Sequence, residues 1–354
     1  MSQNQEVRIV STKNVEVVDC PVPDLPTEEH ILVRTTAVAV NPTDWKHVDF
    51  AEDLSCVGTR LGCDYAGVVE KVGSAVTKNF KKGDRVAGFA NGANGLRPLD
   101  GTFAKYIVVK GDVQMKMPDH FTDEEAATLG VSVSTVGQGL YQSLKLPLPN
   151  EPTKEPFYVL IYGGSTATGV YAIQFAKLSG LKVIATSSPR NFDYLKSLGA
   201  DVVFDYKSPT VVEDIRKYTD GALTVAYDCY GSDGSSALCA RCLSDDGGRI
   251  HALLPAKDEE IKAINPKVES FCTVAYSTVG EGYNAWRRTV APAPEDFEFA
   301  RTFVTIAEEL IAQGKIKSIR ITKNRGGEGL PGVLAGLQEL RDGKVSGEKL
   351  VYTI

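Results

Sequence analysis

The sequence is poor in the residues that would place it in several large functional classes. Four histidines are scattered along 354 residues (His30, His47, His120 and His251), and none stands at H-E-x-x-H or paired Cys/His spacing. No metal is expected. Seven cysteines, an odd number in a chain of this size, make no disulfide framework. Cys239 and Cys242 form a C-x-x-C, but inside a helical pattern, SSALCARCLS, with no second pair at zinc-finger spacing. Two small helix residues near a core face is the simpler account. Basic clusters are missing as well: a formal charge of -6 and a pI near 5.4, without a Lys/Arg stripe, argue against nucleic acid as a partner. No apolar run exceeds strand length before glycine or charge interrupts it, so no membrane span is expected. The start, MSQNQEVRIV, is polar and then strand-like, unlike a signal peptide, which points to the cytoplasm.

What is present has the length and composition of an ordinary globular protein of two domains. From Val7 to Lys116, short runs such as VRIV, HILVRTTAVAV, DYAGVVEKVG and TFAKYIVV alternate with turn residues, the pattern of a mainly β domain. DEEAATLGVSVSTVGQGLYQSL then reads as a helix start followed by a long packed helix. The proline-rich stretch 147–156 is a surface loop. From Phe157 to about Thr278 strands and helices alternate, the signature of a doubly wound parallel sheet, with a sixth strand expected at SFCTVAYST (270–278). An amphipathic helix is expected over 299–316, and EKLVYTI returns to β texture. The fold class is therefore α/β, with residues 1–130 and 290–354 forming one domain and 131–289 an inserted nucleotide domain.

The centre of that second domain is FYVLIYGGSTATG (157–169). Tyr158–Tyr162 lacks polar alternation, as a strand buried on both faces should. Gly163 and Gly164 allow a sharp turn, and Gly169 allows the next helix to pack closely. Backbone N–H groups at Ser165, Thr166, Ala167 and Thr168 would meet a pyrophosphate at the positive end of that helix. The spacing departs from G-x-G-x-x-G, with Ser165 taken to stand at the second glycine. At the end of the next strand an acidic residue would hold an NAD ribose, but here the chain reads Ser187-Ser188-Pro189-Arg190-Asn191. Hydroxyls, an amide and a guanidinium suit a 2′-phosphate, which favours NADPH over NADH. A plain serine helix cap is the competing account of Ser187 and Ser188.

At this point the chain resembles the medium-chain dehydrogenase/reductase superfamily: a GroES-like β domain, an inserted Rossmann domain and a C-terminal return. Asn41-Pro42-Thr43-Asp44 is similar to the NP-x-D element of the zinc-independent quinone and enoyl reductases. Gly62-Cys63-Asp64 stands where zinc alcohol dehydrogenases carry G-H-E, and the four structural-zinc cysteines are missing. Cys63 alone would not hold a catalytic zinc. GGSTATG, SSPRNFDYLKSLGA, VVFDY, Thr43-Asp44-Trp45-Lys46, Ser134–Gly137 and Ser346–Leu350 resemble, more narrowly, the fungal enoyl reductases that act in trans on polyketide synthases, of the lovastatin-pathway type.

The resemblance implies NADPH-dependent reduction of an α,β-unsaturated acyl thioester presented by an acyl carrier domain, without zinc. It implies cofactor contacts at Thr43 to Lys46, at Ser165 to Thr168, at Ser188, Arg190, Asn191 and Tyr206, at Leu253 and Leu254, and at Val345 and Ser346. Lys46 and Thr135 would line the catalytic cleft, as electrostatic partner and hydrogen-bond donor to a developing oxyanion. The ordinary alternatives are an exposed lysine after a turn and a helix threonine bonded to its own backbone. Thr135, Gly137, Leu140, Tyr141, Thr278, Val279 and Gly280 are candidate substrate-lining residues, with core packing as the alternative for each taken singly. Two other functions stay open: a stand-alone NADPH quinone or 2-alkenal reductase, and a catalytically silent NADPH-binding assembly partner. Either a monomer or a homodimer fits.

Overall fold

The computed structural model describes residues 3–232 and 234–354. The chain divides into two compact units, one running to Ser134 and resuming at Tyr276–Ile354, the other Thr135–Ala275.

The first unit is the GroES-like domain. Its sheet runs in the order Ile321–Lys323, Lys349–Thr353, His30–Ala39, Asp64–Val72, Arg85–Phe89, Gln114–Lys116, with Tyr106–Lys110 also paired to His30–Ala39. Pairings are antiparallel except that of Ile321–Lys323 with Lys349–Thr353. The alternation of branched and polar residues in HILVRTTAVA places Ile31 and Val33 in a core with Tyr65, Val69, Phe103, Ile107 and Tyr352. The last strand is thus part of the same sheet as the early ones, as EKLVYTI implied. Helix Pro42–Asp49, with proline in its first turn, leaves the end of His30–Ala39.

The second unit is the doubly wound sheet. All six strands are parallel, in the order Val202–Asp205, Lys182–Ser187, Tyr158–Tyr162, Val225–Asp228, Gly248–Ala252, Val268–Cys272. In chain order this is 3-2-1-4-5-6, so the direction of winding reverses between Tyr158–Tyr162 and Val225–Asp228. Ligands bind outside the carboxyl ends of the strands at such a reversal. Val159, Leu160 and Ile161 have no exposed surface, which explains the unalternating run.

The long helix expected after Thr122 is three pieces: Asp123–Ala126, Gly130–Val136 and a wider, π-helical Gly137–Ser143. The strand expected at 270–278 is Val268–Cys272. Its partner strand ends at Ala252, opposite Cys272, so no ladder remains for Thr273 and Val274, and Ala275–Val279 coils into a 3-10 turn. A helix at Asp258–Ile264, with three acidic residues in its first turn, went unrecognised. The expected 299–316 helix begins at Pro294 and ends at Ala312. Residues 276–289, expected in the nucleotide domain, pack with the first unit: Asn94 donates to the Gly282 carbonyl at 3.1 Å, and Arg287 pairs with Asp53 at 2.6 Å.

Candidate functional site: a dinucleotide cradle and the Thr43–Lys46 element

In the second unit the cradle forms at the end of Tyr158–Tyr162. Gly163 has φ +73°, a left-handed conformation that turns the chain into helix Ala167–Leu178. Thr166 caps that helix, its hydroxyl accepting the Gly169 N–H at 3.0 Å. Counting back from Gly169 puts the fingerprint's second glycine at Thr166, not at Ser165 as expected. The hydroxyl therefore closes the helix end, while Ser165 stays half-buried beside it. The first-turn amides of Ala167 and Thr168 have no intrahelical acceptor, which suits an anion.

At the end of the neighbouring strand, Ser187 is buried, Ser188 half-buried and Arg190 exposed. Asn191 is 4 % exposed, so its amide presents little surface to a ligand. Asp193 lies in the first turn of Phe192–Ser197. Tyr206 is exposed past the third strand, its ring edge-on to Tyr162 at 6.3 Å between centroids. Leu253 and Leu254 follow the fifth strand, with Leu254 exposed. All these positions lie past the carboxyl ends of strands, where this topology takes its ligand.

Sequence reasoning missed a further part of this edge. Asp228, fully buried at the end of Val225–Asp228, accepts the N–H groups of Tyr230 and Gly231 at 3.0 Å and the hydroxyls of Ser235 and Ser236 at 2.5 and 2.7 Å. It fixes the turn facing Gly163, whose nearest neighbours include the Tyr230 Cβ. An aspartate closing a strand two residues before Tyr-Gly and seven before Ser-Ser was the available signal.

Leu140 and Tyr141, expected to line a substrate channel, are core residues. Leu140 has no exposed surface, and the Tyr141 hydroxyl is shared with Ser179 at 2.9 Å. Gly137 is buried too. Thr135 is half-buried, its carbonyl accepting the Tyr227 hydroxyl at 3.0 Å.

In the first unit, Thr43, Trp45 and Lys46 are half-buried on helix Pro42–Asp49. Asp44 is 1 % exposed and points inward, accepting the Asn41 N–H at 2.7 Å, so it caps the helix and presents no side chain outward. The Thr43 hydroxyl bonds the Tyr276 hydroxyl, and the Thr43 carbonyl bonds His47 Nδ1 at 2.8 Å. Burial pushes the His47 imidazole below its usual range and the Tyr276 phenol well above. Both are neutral at pH 7. Lys46 has no ion-pair partner among the described residues; its ammonium lies 5.8 Å from the Trp45 ring centroid, and burial lowers its pKa. Thr278 and Val279 are buried, while Gly280 takes φ +71°. Val345 packs half-buried against the core of this unit, and Ser346 is exposed.

Residues 167–291 match the family described as zinc-binding dehydrogenase, and residues 27–119 the alcohol dehydrogenase GroES-like domain. Trans-enoyl reductase ACTTS2 of Alternaria alternata is 44 % identical over 350 residues, covering 98 % of this chain and 97 % of that protein. Trans-enoyl reductase TOXD of Cochliobolus carbonum is 49 % identical over 276 residues, 78 % of this chain and 90 % of that one. The CurK enoyl reductase structure matches with a TM-score of 0.77 over 99 % of both chains at 20 % identity, a likeness of fold. The chain therefore belongs to the medium-chain dehydrogenase/reductase superfamily, whose members are oxidoreductases using a nicotinamide cofactor. Within it, the chain stands with the fungal trans-enoyl reductases.

The matched family's description implies zinc, which the residues present do not fit. Asp64 already receives the Lys349 ammonium, the Asn41 amide at 2.9 Å and the Val131 N–H at 2.6 Å. Burial, then the charges of Asp44 and Asp64, hold the Cys63 thiol well above its usual range, whereas zinc needs a thiolate. Among the described residues no group of three or more His, Cys, Asp or Glu could hold a metal, and no helix is long and apolar enough to cross a membrane.

Proposed function

We propose that the chain is a trans-acting, zinc-independent enoyl reductase that uses NADPH to reduce an α,β-unsaturated acyl thioester carried by a polyketide synthase. Similarity to trans-enoyl reductases over 98 % of the chain carries this reading. The second unit serves as the NADPH domain and the first as the catalytic domain. The first-turn amides of Ala167 and Thr168, beside Ser165 and the capping Thr166, receive the pyrophosphate. Ser188 and Arg190 receive the 2′-phosphate, with Asn191 supporting that turn from within and Tyr206 beside the adenosine. Leu253 and Leu254 border the nicotinamide side, and Val345 and Ser346 are further proposed cofactor contacts.

NADPH supplies the hydride to the β-carbon of the thioester. The chain's own task is to stabilise the negative charge that develops on the thioester oxygen and to let a proton reach the α-carbon. Lys46 supports the first role, because a half-buried ammonium without a carboxylate partner keeps its field for a ligand. Thr135 is the proposed hydroxyl donor, held in place through its carbonyl by Tyr227. His47 and Tyr276, neutral and bonded to Thr43, fix the helix that carries Lys46.

Three acceptors separate the readings. Purified protein with NADPH is expected to turn over an enoyl pantetheine thioester faster than simple quinones or 2-alkenals, and to keep its rate after chelator treatment. Faster quinone turnover would select a small-electrophile reductase, and tight NADPH binding without any turnover an assembly partner.

A further inference from the structure

Asp64 opens strand Asp64–Val72 with no exposed surface, yet it ties together three segments to which the proposed function assigns work. Its Oδ2 accepts the Asn41 side-chain amide at 2.9 Å, at the start of the helix that carries Thr43 to Lys46. Its Oδ1 accepts the Val131 N–H at 2.6 Å, in the first turn of helix Gly130–Val136. Its Oδ2 also takes the ammonium of Lys349, 3 % exposed, which opens the last strand just after Val345 and Ser346. The Lys349 ammonium reaches the Thr128 carbonyl at 3.4 Å as well, below the same helix.

The surroundings leave this geometry little freedom. A Cβ on Gly130 would stand 2.1 Å from the Gly88 carbonyl oxygen and 2.6 Å from Asp64 Oδ1, so only glycine admits the carboxylate this close to the helix start. Thr102 donates to the Asp64 carbonyl at 3.0 Å, fixing the backbone behind it. An ion pair buried this fully is a poor source of net stability compared with apolar packing, because both charges must be stripped of water. It does impose directions: each partner has one place to be.

We infer that Asp64 and Lys349 are a pair of positioning residues that set the starts of helices Pro42–Asp49 and Gly130–Val136 from one buried carboxylate, and so fix where Thr43 to Lys46 stand in the reaction. The cation that compensates Asp64 is supplied by the chain itself. The inference rests on the enoyl reductase reading for its effect on rate, but its geometric content can be measured without any turnover.

Either single variant strands a buried charge and risks unfolding, so the test uses the double variant Asp64→Asn with Lys349→Met, which removes both charges at near-constant volume. Two measurements are made on the full chain. In hydrogen exchange, the amides of Asn41, Thr43 to Lys46 and Val131 should lose protection by about tenfold or more, while those of Tyr158–Tyr162 and Ala167–Leu178 keep theirs. In steady-state kinetics, kcat with an enoyl pantetheine thioester should fall about tenfold or more. Lys349→Arg, which keeps the cation, should recover most of the loss. A folded double variant with wild-type protection at Asn41, Thr43 to Lys46 and Val131 overturns the inference, as does unchanged kcat. A wild-type protein inert toward every enoyl thioester would instead remove the functional reading, and the exchange result would still decide the positioning.

Discussion

Gly163 and Gly169 stand against each other across the cradle: a Cβ on Gly169 would lie 2.3 Å from the Gly163 carbonyl oxygen. The turn and the helix are therefore in backbone contact, and the helix end is brought to the strand end as closely as two chains allow. Gly169→Ala must push the helix away. It is expected to cost about 1–3 kcal/mol of stability, as overpacking does, and to weaken NADPH binding by about tenfold or more. Thermal denaturation and fluorescence titration with NADPH check the two effects on one sample.

Arg190 is the exposed cation of the stretch Ser187–Asn191, which contains no acidic residue. A charge-assisted bond to a phosphate contributes about 1.5–3 kcal/mol, so Arg190→Ala should raise the dissociation constant for NADPH about 10- to 100-fold. NADH, lacking that phosphate, should bind as before. Parallel titrations with both cofactors decide the matter; an equal loss for both would mean that Arg190 acts elsewhere.

Much of the nucleotide unit was legible because its signals are local. The unalternating run 158–162, the two glycines after it and the acid-free strand end at 187–191 needed no knowledge of distant residues. The failures share a cause. Thr273 and Val274 have strand-forming neighbours, but the chain leaves the sheet where its partner ends at Ala252, which only pairing reveals. The helix expected through 123–144 breaks after Ala126 and restarts at Gly130, where the helix start meets the Gly88 carbonyl and the Asp64 carboxylate, residues far away in sequence. Asp44 read as a ligand residue because it belongs to a short motif, whereas its side chain turns inward to its own helix cap. Asp64 and Lys349 are separated by most of the chain, and only the sheet brings them together.

Asp44 gives a pH signature. Burial pushes its carboxyl up to about 7, against the opposing Asn41 N–H, with the charge of Asp64 adding and that of Lys349 opposing. The folded state thus holds this proton more tightly than the unfolded chain. That contribution to stability is complete below about pH 4 and is lost as pH rises through about 7. Asp44→Asn removes the loss, so its stability relative to wild type should climb between pH 4 and 7 and level off above. The full span would be a few kcal/mol, at about 1.4 kcal/mol per pH unit. Asp100, also pushed up to about 7 by burial, acts in the same direction, and His30 and His251, lowered to about 4, act oppositely below pH 6.5. The difference between variant and wild type cancels these. Urea denaturation at several pH values measures it.

Lys46→Met keeps the length of the side chain and removes its charge. If the ammonium faces the developing oxyanion, kcat should fall by about 100-fold, with little change in melting temperature. A rise in KM alone would make Lys46 a binding residue.

The proposed function requires hydride transfer from NADPH to the β-carbon of an enoyl thioester. The direct measurement is a single turnover of the purified protein with NADPH deuterated at nicotinamide C4 and an α,β-unsaturated acyl pantetheine, read by mass spectrometry and NMR. The expected product is a saturated thioester with one deuterium at the β-carbon from one of the two C4-labelled epimers, with at least about tenfold slower transfer from NADH. An unreduced thioester, or a product with deuterium elsewhere, would contradict it.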